Sequence, residues 1–209
     1  MNTVAEKVAS NLLEIKAIKL EPLNSFTWAS GWKSPIYCDN RKTLSFPKVR
    51  DCIKSEFVNL IKEKYPDVEV IAGVATGAIA HGVLVAEAMD LPFIYVRSSA
   101  KSHGMENLIE GYYNKGQKVV VVEDLVSTGG SSLKAVNALR DAGCDVLGMV
   151  AIFSYGFSLA EDNFVKANCE LTTLSNYDAM IDLAIKSGYV HASEENKLKQ
   201  WRLSPETYK

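Results

Sequence analysis

Val119–Val122 is an unbroken run of four branched apolar residues, and Glu123 and Asp124 follow it at once. Side chains along a strand point alternately to its two faces, so such a run needs apolar cover on both. Lys118 to Glu123 is therefore expected to form a central strand of a parallel sheet in an α/β protein. Ligands of open α/β sheets gather beyond the carboxyl ends of the strands, which is where the acid pair is expected. Ser127, Thr128, Gly129, Gly130 and Ser131 come next. After them Leu133, Val136, Leu139 and Ala142 recur at helical spacing, so the small-residue loop is expected to end at the N-terminus of a helix over Ser131–Ala142.

A helix N-terminus carries unpaired N–H groups and the positive end of a dipole, and glycines let main-chain amides converge on an anion. Residues 127–131 therefore suit one phosphate. Two carboxylates just before it would repel that phosphate, but they suit the vicinal hydroxyls of a ribose or a magnesium ion, both of which favour oxygen acceptors. The stretch has neither the G-x-G-x-x-G spacing of a dinucleotide loop nor the Gly-Lys-Ser/Thr of a Walker loop. A phosphorylated sugar matches the division between acids and loop.

Residues 118–132 resemble the phosphoribosyl pyrophosphate (PRPP) motif of the type I phosphoribosyltransferases, in which an apolar run precedes two acids and a Thr-Gly-Gly loop. Two further stretches resemble the orotate phosphoribosyltransferases within that group. FTWASGWKSPIYCDNR, residues 26–41, is similar to their amino-terminal hood, with Ser30-Gly31, Ser34-Pro35, Tyr37, Asp39 and Arg41 in order. RSSAKSHG, residues 97–104, is similar to their catalytic loop, with Arg97, Lys101 and His103. The resemblance runs from about Phe26 to Phe157 and implies a type I phosphoribosyltransferase fold, a mainly parallel sheet flanked by helices with a small hood. It implies transfer of ribose 5-phosphate from PRPP to orotate, giving orotidine 5′-monophosphate and pyrophosphate in pyrimidine synthesis. Magnesium is the implied cofactor, held mainly through PRPP with no direct protein ligand.

Residue by residue, the resemblance makes Lys101, Asp124 and His103 catalytic. It assigns PRPP to Arg97, Lys101, His103, Glu123, Asp124, Leu125, Val126, Ser127, Thr128, Gly129, Gly130 and Ser131, with Ser127 also near orotate. Thr76 and Gly77, in the small-residue turn of IAGVATGAIAHG, are weaker candidates for a pyrophosphate contact, and a plain tight βα turn accounts for them equally well. The family's loop reaches into the neighbouring subunit's site, which implies a homodimer with shared sites. Three positions depart from patterns found in parts of the family. Ala29 stands where some members have lysine, Ser98 where some have a second basic residue, and Ser154-Tyr155 where some have an Asp-Arg pair, so an arginine contact to the orotate carboxylate is not carried over.

Two other readings stay open. One is a phosphoribosyltransferase for a different base. The other is a non-catalytic regulator that senses PRPP, which would be expected to carry a basic face for nucleic acid. The chain has 23 Lys and Arg against 25 Asp and Glu, for a net charge of −2, so it has no overall electrostatic footprint for nucleic acid. Cys38, Cys52, Cys144 and Cys169 are far apart and form no C-x-x-C pair, against a metal cluster or a disulfide scaffold. No apolar run is long enough to span a bilayer, and the amphipathic start through Val4, Val8, Leu12 and Ile15 is no secretory signal. A cytoplasmic protein is expected.

The 209 residues suit a single phosphoribosyltransferase domain, its hood supplied by about residues 1–45 and part of the C-terminal region. After an opening helix and the hood, a helix is expected from near Phe46-Pro47. Strands follow at Val68–Val74, Pro92–Val96, Lys118–Glu123 and Asp145–Phe153, with helices at Ile79–Met89 and Ser131–Ala142. The alternation implies parallel strands with helices on both faces. Ser98–Gly116 has no sustained periodicity and reads as a functional loop, a lid carrying Lys101 and His103. The tail from Asp178 reads as two short helices. His81 is expected to be structural or near a subunit contact, and His191 to be solvated. Trp28 and Trp32 either pack on a planar ligand or fill a core or dimer contact.

Overall fold

The computed structural model describes residues 3–28, 31–99 and 108–208. The chain begins with α1 (Val4–Glu14), whose N-cap Thr3 and Glu6 form a reciprocal capping box that satisfies two otherwise orphaned N–H groups. Short strands β1 (Ile18–Leu20), β2 (Phe26–Thr27), β3 (Lys33–Ser34) and β4 (Ile36–Cys38) build the hood as two antiparallel pairs, β1 with β4 and β2 with β3. A 3-10 turn over Asn40–Ser45 leads into α2 (Pro47–Lys64), where Pro47 sits in the first turn and loses no helical hydrogen bond.

The main body follows: β5 (Val70–Val74), α3 (Ile79–Met89), β6 (Phe93–Val96), β7 (Ile109–Glu110), β8 (Lys118–Val126), α4 (Gly130–Asp141), β9 (Asp145–Ser154), α5 (Ser158–Lys166), β10 (Leu171–Asn176), α6 (Tyr177–Lys186) and α7 (Glu195–Leu203). Among the described residues the six-stranded sheet runs β10-β9-β8-β5-β6-β7. All neighbours are parallel except β6 and β7. The valine run lies where its composition requires. Val120 and Val122 belong to the core under α1, α2, α3 and α6, and Val119 and Val121 belong to the core under α4 and α5. All four are fully buried, each worth about 1.5–3 kcal/mol of apolar burial.

Three expectations need correction. β8 does not stop at Glu123 but continues to Val126, held by pairing of Leu125 and Val126 with Phe153 and Ser154 of β9. The segment Ser98–Gly116 is not wholly irregular, because Ile109 and Glu110 add an antiparallel edge strand to β6. Helix α5 and strand β10 were not expected at all. The helix following Phe46-Pro47 and the one at Ile79–Met89 lie where the sequence places them.

The C-terminal tail locks the hood onto the body. Trp201 of α7 is buried against Trp28, Tyr155, Phe157 and Tyr177, with ring centroids 5.6, 5.8, 5.4 and 5.2 Å away. Its indole N–H donates to the Lys33 carbonyl at 3.2 Å. Tyr208 and Lys197 both donate to the Pro22 carbonyl. Trp201→Ala is expected to cost about 3–5 kcal/mol through the cavity it leaves. That corresponds to a fall in Tm of roughly 6–20 °C for a chain of this size, read by thermal melting.

Candidate active site

Four segments meet beyond the carboxyl ends of β5, β8 and β9: the turn after β5, the β8–α4 loop, the hood residues 37–41, and Tyr155. They border two adjoining cavities that share Cys38 and Leu125. The first, about 410 Å³, is lined by Asp39, Arg41, Thr76, Gly77, Glu123, Asp124 and Ser131 among others. The second, about 310 Å³, is lined by Thr27, Trp28, Tyr37, Ser127 and Tyr155. The first is acidic and hydroxyl-bearing and the second mostly aromatic, a pairing suited to a sugar beside a planar ring.

The two acids are placed differently. Glu123 is 4% exposed; its Oε2 accepts from the Ser132 hydroxyl at 2.8 Å and its Oε1 from the Asp124 N–H at 2.9 Å. Burial, reinforced by the neighbouring Asp124 carboxylate, pushes the Glu123 carboxyl well above the usual range. Asp124 is half-buried and faces the cavity. A Cβ at Gly77 would strike its carboxylate, so only glycine lets the β5 turn come this close. The Ala75–Thr76 peptide of that turn is cis.

A carboxyl whose folded pKa is raised holds its proton where the unfolded chain has released it. Stability of the ligand-free protein therefore falls as pH rises from the ordinary carboxyl range towards the folded value, and levels off above it. Glu123→Gln is expected to flatten that slope, read as Tm against pH between about pH 5 and 7. An unchanged slope would show that another group dominates it.

The β8–α4 loop takes the expected form at a helix N-terminus. Gly129 adopts φ +79 and is buried beneath Phe164, whose ring would lie 2.8 Å from a Cβ there. Gly130 opens α4 and is exposed, as is Ser131. Thr128 is fixed through its carbonyl, which accepts from the Asn163 amide at 3.0 Å. Leu125 borders both cavities, whereas the Val126 side chain is fully buried and can offer a ligand its main chain alone. Thr76 is exposed on the first cavity. Arg97 borders a neighbouring cleft of about 380 Å³ that shares Val74, Ala75 and Ser131 with the first. Its guanidinium lies 3.5 Å from Glu110. Lys101 and His103 lie outside the described residues, as do Ala29 and Ser30.

His81 is a structural histidine as expected: it is buried, 3.3 Å from the Thr43 hydroxyl, and burial lowers its pKa. His191 is exposed. Trp28 fills the aromatic core, its ring tilted against Tyr155 with centroids 5.0 Å apart, and it also lines the second cavity. The site also includes residues to which the sequence assigned no role. Tyr37, Cys38, Asp39 and Arg41 line the cavities, and the Arg41 guanidinium, 2.7 Å from Asp39, holds that carboxyl below its usual range. Their place in the hood motif was the available signal. Tyr155 was marked only through the Ser154-Tyr155 departure, and Asn40 lies in the same hood stretch with nothing to set it apart.

Among the described residues, no group of three or more His, Cys, Asp or Glu side chains is placed to hold a metal. Each Glu123 carboxylate oxygen already accepts a hydrogen bond within the protein, which leaves Asp124 as the more open acid. A magnesium ion commonly keeps waters and substrate phosphates and takes only one or two carboxylates, so this donor set fits an ion that arrives on its substrate. A cleft of about 610 Å³ runs along the edge strand β10 on the far side of Tyr155; it lacks the acid pair and the glycine loop.

Residues 43–187 match the phosphoribosyl transferase domain family. An orotate phosphoribosyltransferase of Porphyromonas gingivalis is 59% identical over 208 residues, covering 100% of this chain and 99% of that one. Among solved structures, the orotate phosphoribosyltransferase of Aeropyrum pernix superposes with a TM-score of 0.76 at 25% identity, over 88% of this chain and 99% of that one. That of Mycobacterium tuberculosis, solved in complex with PRPP, shares the fold with a TM-score of 0.65 at 23% identity, over 87% and 99%. Among the described residues no helix is long and apolar enough to cross a membrane.

Proposed function

The chain belongs to the orotate phosphoribosyltransferases, enzymes of pyrimidine biosynthesis, and we propose that it draws its ribose 5-phosphate from PRPP bound in the cavity around Asp124. The observation that supports this reading is the open Asp124 carboxylate between the glycine loop at the start of α4 and the β5 turn that abuts it. In this reading the N–H groups and hydroxyls of residues 127–131 hold the 5-phosphate at the positive end of α4. Glu123 and Asp124 take the ribose hydroxyls, Asp124 from the open side and Glu123 from beneath. Thr76 and Gly77 meet the pyrophosphate, and so do Arg97, Lys101 and His103, the last two on the resemblance of residues 97–104 alone. Orotate lies in the aromatic cavity against Trp28, Tyr37 and Tyr155, with Ser127 at its edge.

The bond from C1 to the pyrophosphate oxygen breaks with both electrons on that oxygen, and the anionic N1 of orotate attacks C1 from the opposite face. The ribose carries oxocarbenium character between these events, and Asp124 supplies a fixed negative charge beside it. Lysine, arginine and histidine gathered at the departing pyrophosphate would stabilise its charge where water is excluded. Magnesium, for which Asp124 is the available protein carboxylate, would supply positive charge against the same pyrophosphate. We place the enzyme in the cytoplasm, in keeping with four free cysteines.

Calorimetric titration with PRPP and magnesium tests the donor site. Wild-type protein is expected to bind PRPP, and Asp124→Asn to bind it more weakly; equal binding by both would remove Asp124 from the site. We further propose a homodimer with shared sites, as the resemblance implies. Mixing Lys101→Ala with Asp124→Asn protein should then restore part of the activity, since one site of each mixed dimer regains both residues. No recovery after demonstrated subunit exchange would exclude sharing.

A further inference from the structure

We propose that Asn40 is a positioning residue for the reaction, acting through the main chain of Asp124. Pairing of β8 with β5 ends at Val122 opposite Gly73, so the next residues of β8 have no strand beside them on that flank. The side chain of Asn40 stands in for it. Its Nδ2 donates to the Asp124 carbonyl at 2.6 Å, while its Oδ1 accepts from the Cys38 thiol at 3.3 Å. One amide thus joins the wall of the aromatic cavity to the acid of the sugar cavity.

The amide is itself held. Asn40 is 1% exposed, and its own carbonyl accepts from the Thr43 hydroxyl at 2.5 Å. That hydroxyl lies 3.3 Å from His81 Nε2 of α3, the helix that begins just past the turn against which Asp124 packs. Thr43 and His81 are also buried. A buried network whose donors and acceptors are paired in this way favours one arrangement of its members. Asp124 is therefore held at its carbonyl by Asn40 and at its carboxylate by the Gly77 turn. Reacting groups displaced by about 1 Å can cost about 10²-fold in rate, so loss of the Asn40 donor should act on kcat.

The inference rests on the reading of Asp124 given above, and a double-substitution cycle separates the two. Asn40→Leu keeps the approximate size and removes the donor. Alone it is expected to lower kcat roughly ten- to a hundred-fold with little change in KM for either substrate. In the Asp124→Asn background the same change should cost less than about two-fold, because the carboxylate it positions is gone. An equal loss in both backgrounds would overturn the inference and leave the site reading intact, as would an undiminished kcat for Asn40→Leu alone. A wild-type kcat for Asp124→Asn alone would overturn both. Should Asn40→Leu fail to fold, Asn40→Ser, smaller and still polar, carries the same comparison with the same outcomes.

Discussion

Asp124→Asn is expected to lower kcat by roughly two to three orders of magnitude, the scale on which a single preorganised electrostatic contact to a transition state acts. The change keeps shape and hydrogen-bonding capacity but removes the charge beside the ribose. Folding should survive it. Asp124 is half-buried, and the hydrogen bonds that anchor it run through its main chain, whose carbonyl accepts from Asn40 and whose N–H donates to Glu123. Steady-state kinetics alongside a thermal melt would check both halves. A loss of kcat that tracks a loss of folded protein would point instead to a structural acid.

Gly77→Ala is expected to approach that effect with the carboxylate still present, lowering kcat/KM by about 10²-fold. A methyl at Gly77 overlaps the Asp124 carboxylate itself. Either the carboxylate or the β5 turn must move, and both border the sugar cavity. Glycine is needed at this position for close approach and not for dihedral freedom, since its φ lies outside the left-handed region. Kinetics of Gly77→Ala with PRPP varied would show the loss. Wild-type kinetics would mean that the turn yields freely and that Asp124 is not held from that side.

These effects turn on distances that the sequence does not contain, although the parts were visible in it. The valine run announced a strand covered on both faces, and its odd and even members do divide between two cores. The acids and the glycine loop were legible because strand end, anion nest and helix start are contiguous in the chain. Only folding distinguishes the acids: Glu123 turns towards Ser132 and is buried, while Asp124 turns towards the cavity.

What was missed is short, polar or assembled from afar. β7 has two residues, too few for any period. β10 reads LTTLSN, with its first three residues half-buried and the next two buried, so it lacks an alternating signal. α5 has nine residues and no side-chain cap. The aromatic wall joins Trp28, Tyr155 and Trp201 from three distant segments. Asn40 lies 84 positions from the carbonyl it supports, and a lone asparagine in a hood segment gives no hint of such a partner.

The most direct test of the account is the consumption of orotate, followed by its absorbance, when the protein is mixed with orotate, PRPP and magnesium. Adenine, hypoxanthine and uracil serve as parallel acceptors, and pyrophosphate release as the second readout. Loss of orotate alone, matched by pyrophosphate, is the expected result. Pyrophosphate release with another base and not with orotate would contradict the assignment of the aromatic cavity, and binding of PRPP without turnover of any base would contradict the enzyme itself.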